Sequence, residues 1–264
     1  MCTILVAWRV DREAPVLLAA NRDELIARPT HAPGVLREAP RVAGGRDAVA
    51  GGTWLAVSAA GRVAAVTNRR AGLRDPSRRS RGELPLLLLD AEPGSAATVI
   101  AGLDPSRYNP ANLLDATVDR VLVGQLEGER ATVAELSPGV HALTTVDVDD
   151  RRDAKVARLL AGAEAILARG HPAEEILVRL ERLLEDHGPG RLAGPDAACI
   201  HGDVHGTRSS SSVVLWADGR VTYRVAPGRP CEHPRADLSA LLEEAPETDQ
   251  ERGGVSGPPG ADGG

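Results

Sequence analysis

Cys2 stands directly behind Met1, at the head of the β-type run TILVAWRV. A cysteine there is either a small hydrophobe opening a strand or a nucleophile. Processing enzymes readily remove a leading Met when the next residue is small, and the mature chain would then carry thiol and α-amine on one residue. An α-amine titrates near about 7.7–8.0, so it can take the thiol proton directly or through one water. Nucleophile and base would share a single position, with no distant histidine required. A second cluster of reactive types is CIHGDVHG (199–206), where Cys199, His201, Asp203 and His205 alternate, joined further on by Cys231 and His233. Alternation in a strand puts such residues on one face, as a metal site needs. The spacing matches no zinc signature, and a strand-to-loop edge explains the stretch, so no metal is assigned. A third cluster is RRAGLRDPSRRSR (69–81), with six arginines against one acid, Asp75. The plain reading is a solvated loop. The sharper one is a rim in which Arg78, Arg79 and Arg81 hold the carboxylates or phosphates of an anionic substrate.

The elements that must position these groups are legible in outline. TILVAWRV (3–10) and PVLLAAN (15–21) flank the polar turn DREA as a hairpin. From Arg28 to about Gly52 the Pro, Gly and Arg content reads as loop. TWLAVS (53–58) and RVAAVTN (62–68) form a second hairpin around AAG. RGELPLLLLD and SAATVIAGL read as short helices, and NLLDATV, DRVLVGQL and RATVAEL as strands. Val156, Leu159, Leu160, Ala163 and Leu167 share one helical face that Gly170 closes. A second helix starts at Pro172, carries Ile176, Leu177, Leu180, Leu183 and Leu184, and ends by Gly188. SSSSVVLW and RVTYRVA are strands joined through Asp218-Gly219. From about Pro246 the composition is that of a disordered tail (246–264), leaving residues 1–245 as one domain.

The bulk composition narrows the function classes. At 264 residues the chain can bury a real core, and no Phe is present, so Leu, Val and Ala must build it. A net charge of −6 argues against a general nucleic-acid binder. Three cysteines make no disulfide framework, which suits a reducing compartment. Neither a signal segment nor an apolar run near 18 residues is seen, so a cytoplasmic, unanchored protein is expected. Lys155 is the sole lysine against thirty arginines, read as genomic base composition.

A resemblance then gathers several of these stretches. LAANRDE (18–24), RP (28–29), GGTWLAV (51–57), VTN (66–68), RGEL (81–84) and GTRSSS (206–211), with the opening MC, follow one another in the order found in the NRDE family. That family includes the Transport and Golgi organisation protein 2 homologues and resembles the N-terminal-nucleophile hydrolases of the choloylglycine hydrolase and penicillin V acylase branch. The resemblance implies an α+β fold, a four-layer αββα sandwich of antiparallel sheets, with a mature N-terminal cysteine. It implies that Cys2 attacks a carbonyl, that Asp23 holds the α-amine, that Asn68 donates to the oxyanion, and that Arg208 completes the charge network. Asn21, polar at a strand end, is a candidate donor to a substrate carbonyl, and Arg22 a structural residue. The chain departs from the pattern at Thr145, where the family has Asn, and at Ala20, where related hydrolases have Arg. The expected function is hydrolysis or acyl transfer on a small-molecule amide or thioester, an anionic acyl compound among them, without a cofactor. The alternative is a carrier of haem, through Cys2 and His31, or of a lipid-like acid. Oligomeric state is left open.

Overall fold

A computed structural model describes residues 2–70, 74–189, 194 and 196–243; Met1 and the tail expected from Pro246 lie outside the described residues. The first sheet contains β1 (Thr3–Trp8), β2 (Val16–Leu25), β10 (Gly139–Leu143), β11 (His205–Leu215), β12 (Val221–Ala226) and β13 (Ala236–Asp237). Its order is β10-β1-β2-β11-β12-β13, every pairing antiparallel. The second sheet contains β3 (Thr30–Glu38), β4 (Arg41–Asp47), β5 (Leu55–Ser58), β6 (Arg62–Asn68), β7 (Ala111–Thr117), β8 (Val121–Glu127) and β9 (Arg130–Glu135). It is an antiparallel meander in sequence order. Helices α1 (Leu84–Asp90) and α2 (Ala96–Ala101) cover its outer face, and α3 (Ala154–Leu167) with α4 (Ala173–Leu183) cover the first sheet.

Strand alternation explains why three apolar layers arise. In β1 and β2, Ile4, Val6, Trp8, Val16 and Leu18 point between the sheets, where they meet Leu55, Val57, Val63, Leu114 and Val123. The opposite parity, Leu5, Ala7, Leu17 and Ala19, meets Val156, Leu159, Leu160, Leu177 and Leu180 of the two long helices. Leu84, Leu88 and Ile100 complete the fourth layer on Ala56, Ala64 and Leu113. With no Phe, small residues let the layers approach closely, and each fully buried Leu or Val contributes about 1.5–3 kcal/mol.

Gly170, just past the end of α3, adopts φ of +66° as a helix stop does, whereas α4 ends earlier than expected, at Leu183 with Leu184 as its C-cap, and Gly188 (φ +73°) lies in the turn beyond. The stretch from Arg28 to Gly52 does not form a loop. It forms the hairpin β3–β4, whose outer strand is an edge with two register shifts. Its glycines and prolines are tolerated because β3 pairs on one side only, where irregular backbone costs little. No helix among the described residues is long and apolar enough to cross a membrane.

Candidate functional site

Strand register decides what surrounds Cys2. Thr3 pairs with Asn21 in β2 and Ile4 with Leu143 in β10, so the head of β1 lies between the NRDE segment and the chain leaving β10. Alternation carried back from Ile4 and Val6 turns Cys2 between the two sheets, across from Arg22. The half-buried sulfur accepts a hydrogen bond from the Asp23 main-chain N–H. Burial pushes its thiol above the ordinary range. The positive chain terminus pulls it down, the Asp23 carboxylate adds to the rise, and Arg22 opposes it.

Asp23 has the opposite parity and points to the helical side. Its Oδ1 accepts from Thr207 Oγ1 at 2.6 Å, and Thr207 Oγ1 in turn accepts from the Ile200 N–H at 2.8 Å. Burial lifts the carboxyl to about 6, against the pull of the chain terminus, Thr207, Lys155 and Arg22. Lys155 is 4% exposed, in the first turn of α3, and its Nζ donates to Thr3 Oγ1 at 3.3 Å. Burial lowers its pKa, while Asp23, Asp153 and Cys2 favour its charge. A cation in the first turn opposes the helix dipole. The chain therefore places its single lysine where both burial and the helix disfavour it, beside the candidate nucleophile.

On the inter-sheet side Arg22 lies 4.2 Å from the centroid of the Trp54 ring and 3.5 Å from Asp47 Oδ2. Arg28 holds the same carboxylate through Nε at 2.5 Å and Nη2 at 3.0 Å. Asp47 also accepts from the Val49 and Ala50 N–H groups, which holds its carboxyl below the usual range despite partial burial. Next to Trp54, the Thr53 N–H donates to the Gly82 carbonyl at 2.8 Å, and a Cβ on Gly52 would sit 2.4 Å from Gly82 backbone. The sequence motifs NRDE, RP, GGTWL and RGEL are thus one packed assembly behind Arg22. Arg22 Nη1 and Ser209 Oγ are buried without a hydrogen-bond partner among the described residues. Both residues line a cavity of about 200 Å³ with His31, Trp54 and Arg208.

The remaining candidates divide. Asn68, half-buried, ends β6 in the facing sheet, whose end is stitched to the segment after β10 by Thr67 Oγ1 on the Thr144 carbonyl at 2.6 Å and the Arg70 N–H on the Thr145 carbonyl at 2.8 Å. Thr145 is buried at this junction. The ends of β1, β6 and β10 therefore converge. Asn21 is different from its expected part as a substrate donor. It faces α4, and its Nδ2 donates to the Leu184 and Ala198 carbonyls at 2.8 Å each, so its amide hydrogens are already engaged. Arg208 does not sit on Asp23; it donates to the Leu25 and Ile26 carbonyls and acts electrostatically on Arg22. Arg78 is tied to the Tyr108 carbonyl and Asp75, and Arg79 to Glu83. Among the three rim arginines, Arg81, anchored on the Pro110 carbonyl at 2.9 Å, interacts electrostatically with Cys2.

Sequence reasoning missed Lys155, Arg22 as a neighbour of the thiol, Thr207 and Trp54. The one available signal was Lys155 itself: in a chain that uses arginine everywhere else, a retained amine marks a place where guanidinium will not serve.

Two antiparallel sheets packed between helical layers, with a cysteine at the head of the first strand turned between them, define the αββα fold of the N-terminal-nucleophile hydrolases. Solved structures agree. A conjugated bile acid hydrolase variant from Clostridium perfringens superposes with a TM-score of 0.56 at 11% identity, covering 92% of this chain and 95% of that one. Penicillin V acylase from Agrobacterium tumefaciens gives 0.53 at 12%, covering 86% and 83%. At such identities the likeness is one of fold. The chain belongs to the Transport and Golgi organisation 2 family, whose model matches residues 1–224. A bovine (Bos taurus) Transport and Golgi organization protein 2 homolog is 28% identical over 238 residues, 79% of this chain and 84% of the relative.

Proposed function

We propose that the chain is an N-terminal-nucleophile cysteine hydrolase or acyltransferase acting on a small-molecule C–N amide or thioester. Removal of Met1 makes Cys2 the first residue, and its α-amine takes the thiol proton. The sulfur adds to the substrate carbonyl, whose π electrons move onto oxygen. Collapse of that intermediate breaks the C–N or C–S bond, and the α-ammonium returns its proton to the leaving amine or thiol. Water or another acceptor then releases the acyl group from Cys2. Asn68 serves as an oxyanion donor, a role worth about 2.7–4 kcal/mol where one donor is removed. The Asp23 carboxylate orients the α-ammonium by a charge-assisted hydrogen bond, and Lys155 favours its ionised form.

The observation that carries this reading is the setting of Cys2. Its sulfur receives the Asp23 N–H and faces Arg22, a residue that also lines the neighbouring cavity with Trp54 and Arg208. The cavity, about 200 Å³, lies below the roughly 300–1,000 Å³ of sites for drug-sized ligands. His31 lines it and Cys2 does not, which weighs against haem carriage by the two together.

A panel of chromogenic N-acyl amides and acyl thioesters, with and without a carboxylate on the acyl chain, tests the proposal. Turnover of at least one short acyl compound is expected, abolished in Cys2→Ala. Equal turnover by Cys2→Ala and the unaltered chain would remove the nucleophile.

A further inference from the structure

The reactive side chains outside this site converge at the end of α4. We propose that His187, Cys199, His201 and Cys231 form a structural zinc(II) site. One donor atom from each lies within 4.8 Å of all the others. The two sulfurs are 3.5 Å apart, and His201 Nε2 lies 3.7 Å from Cys199 Sγ and 3.1 Å from Cys231 Sγ. Zinc bonds of about 2.3 Å to sulfur and 2.0–2.1 Å to nitrogen, set tetrahedrally, demand sulfur–sulfur and sulfur–nitrogen separations of about 3.8 and 3.5 Å. The arrangement is therefore near closure, needing shifts of about 1 Å to bring His187 in. The rings of His187 and His201 stand edge to face, 4.7 Å between centroids, as two imidazoles at one tetrahedral ion can. His201 Nδ1 faces Glu232 Oε1 at 3.5 Å, the carboxylate that fixes a ligating histidine with its other nitrogen toward the metal.

Of the metal donors weighed from sequence, Cys199, His201 and Cys231 belong to this set. Asp203 is exposed, His205 begins β11, and His233 packs on Gly228. The fourth donor, His187, is 12 residues before Cys199 in sequence, which a reading of alternation within one strand does not reach. Four protein donors leave no open position, so the site holds structure and does not act on substrate. Loading takes up one Zn²⁺ and releases two thiol protons, giving a neutral complex.

The ion would tie three separate segments together: the end of α4, the approach to β11 and the loop after β12. Ile200, between two ligands, donates its N–H to Thr207, which donates to Asp23. The Ala198 carbonyl, one residue before Cys199, accepts from Asn21. Zinc here would hold the support of Asp23 in place.

The test uses the full chain purified under reducing conditions from zinc-supplied cells, and its readouts do not depend on enzymatic activity. Elemental analysis is expected to give one zinc per chain. After chelation, cobalt(II) should restore a tetrahedral spectrum with thiolate-to-metal charge transfer, bound in competition with zinc. Cys199→Ser with Cys231→Ser should lose both signals. Glu232→Gln should keep the stoichiometry but weaken zinc about tenfold or more. Because His187 is exposed, His187→Ala folds without a core defect and should weaken zinc as well. Metal-free protein that gives no cobalt charge-transfer band would overturn the site. So would zinc retained by the double serine variant, or a Cys199–Cys231 disulfide, two mass units lighter, in freshly isolated protein.

Discussion

Lys155 is the residue whose chemistry departs furthest from its composition. It stands in the first turn of α3, 4% exposed, donating to Thr3 beside the Cys2–Asp23 pair. Its charge lowers the Asp23 carboxyl against the burial that raises it, and it interacts electrostatically with Cys2. Lys155→Met should therefore move the alkaline rise of Cys2 alkylation to higher pH and slow labelling at pH 7. A purely structural lysine would change stability while leaving that pH profile in place. Cys2 could be singled out from sequence because the proposal for it rests on its position. Lys155 could not, because its meaning lies in burial and in a neighbour 132 positions away at Asp23. For Asn21 the strand-end polarity is the same whether the amide meets substrate or, as here, donates to the Leu184 and Ala198 carbonyls, so sequence alone does not separate the two.

At the scale of elements, the motif glycine Gly52 acts by close approach. Gly52 adjoins the Gly82 backbone so tightly that a Cβ would meet its atoms at 2.4 Å, and Thr53 N–H bonds across the same contact. The backbone at Gly82 cannot yield as a flexible side chain would. Gly52→Ala should cost about 1–3 kcal/mol, read as a lower urea midpoint. It should also loosen Trp54 under Arg22, since the two residues flank Thr53; Gly51→Ala, which meets no atom within 4 Å, tests instead the strain of its φ of +74°. The hairpins β1–β2, β5–β6 and β11–β12 were readable from alternation and turn residues, and the helices from their apolar stripes. The β3–β4 hairpin was not, because a one-sided edge strand tolerates the Gly and Pro that mark loops elsewhere.

For the whole molecule, the four layers bury a carboxyl, Asp23, that the proposed mechanism uses in its ionised form. Asp23 holds its proton up to about 6 in the fold, above its ordinary range when unfolded. Below that ordinary range both states are protonated. As pH rises through 4 to 6 the unfolded chain ionises first, so this group's contribution to stability falls, by about 3 kcal/mol for some two pKa units. Melting temperatures across this window should decline more steeply for the unaltered chain than for Asp23→Asn. Parallel curves would place Asp23 in a solvated setting instead. The layered architecture itself was reachable through the motif order spanning most of the chain. The charge network was not, because parity across three strands decides which side of a sheet each group faces.

The central claim is that the second residue becomes the first and carries the acyl group. Rapid acid quench of the protein with a short acyl thioester, followed by intact and N-terminal peptide mass, tests it directly. The expected product is a chain lacking Met1, with one acyl group on the Cys2 sulfur that disappears in Cys2→Ala. A chain that retains Met1, or one acylated elsewhere while Cys2 stays unmodified, would contradict it.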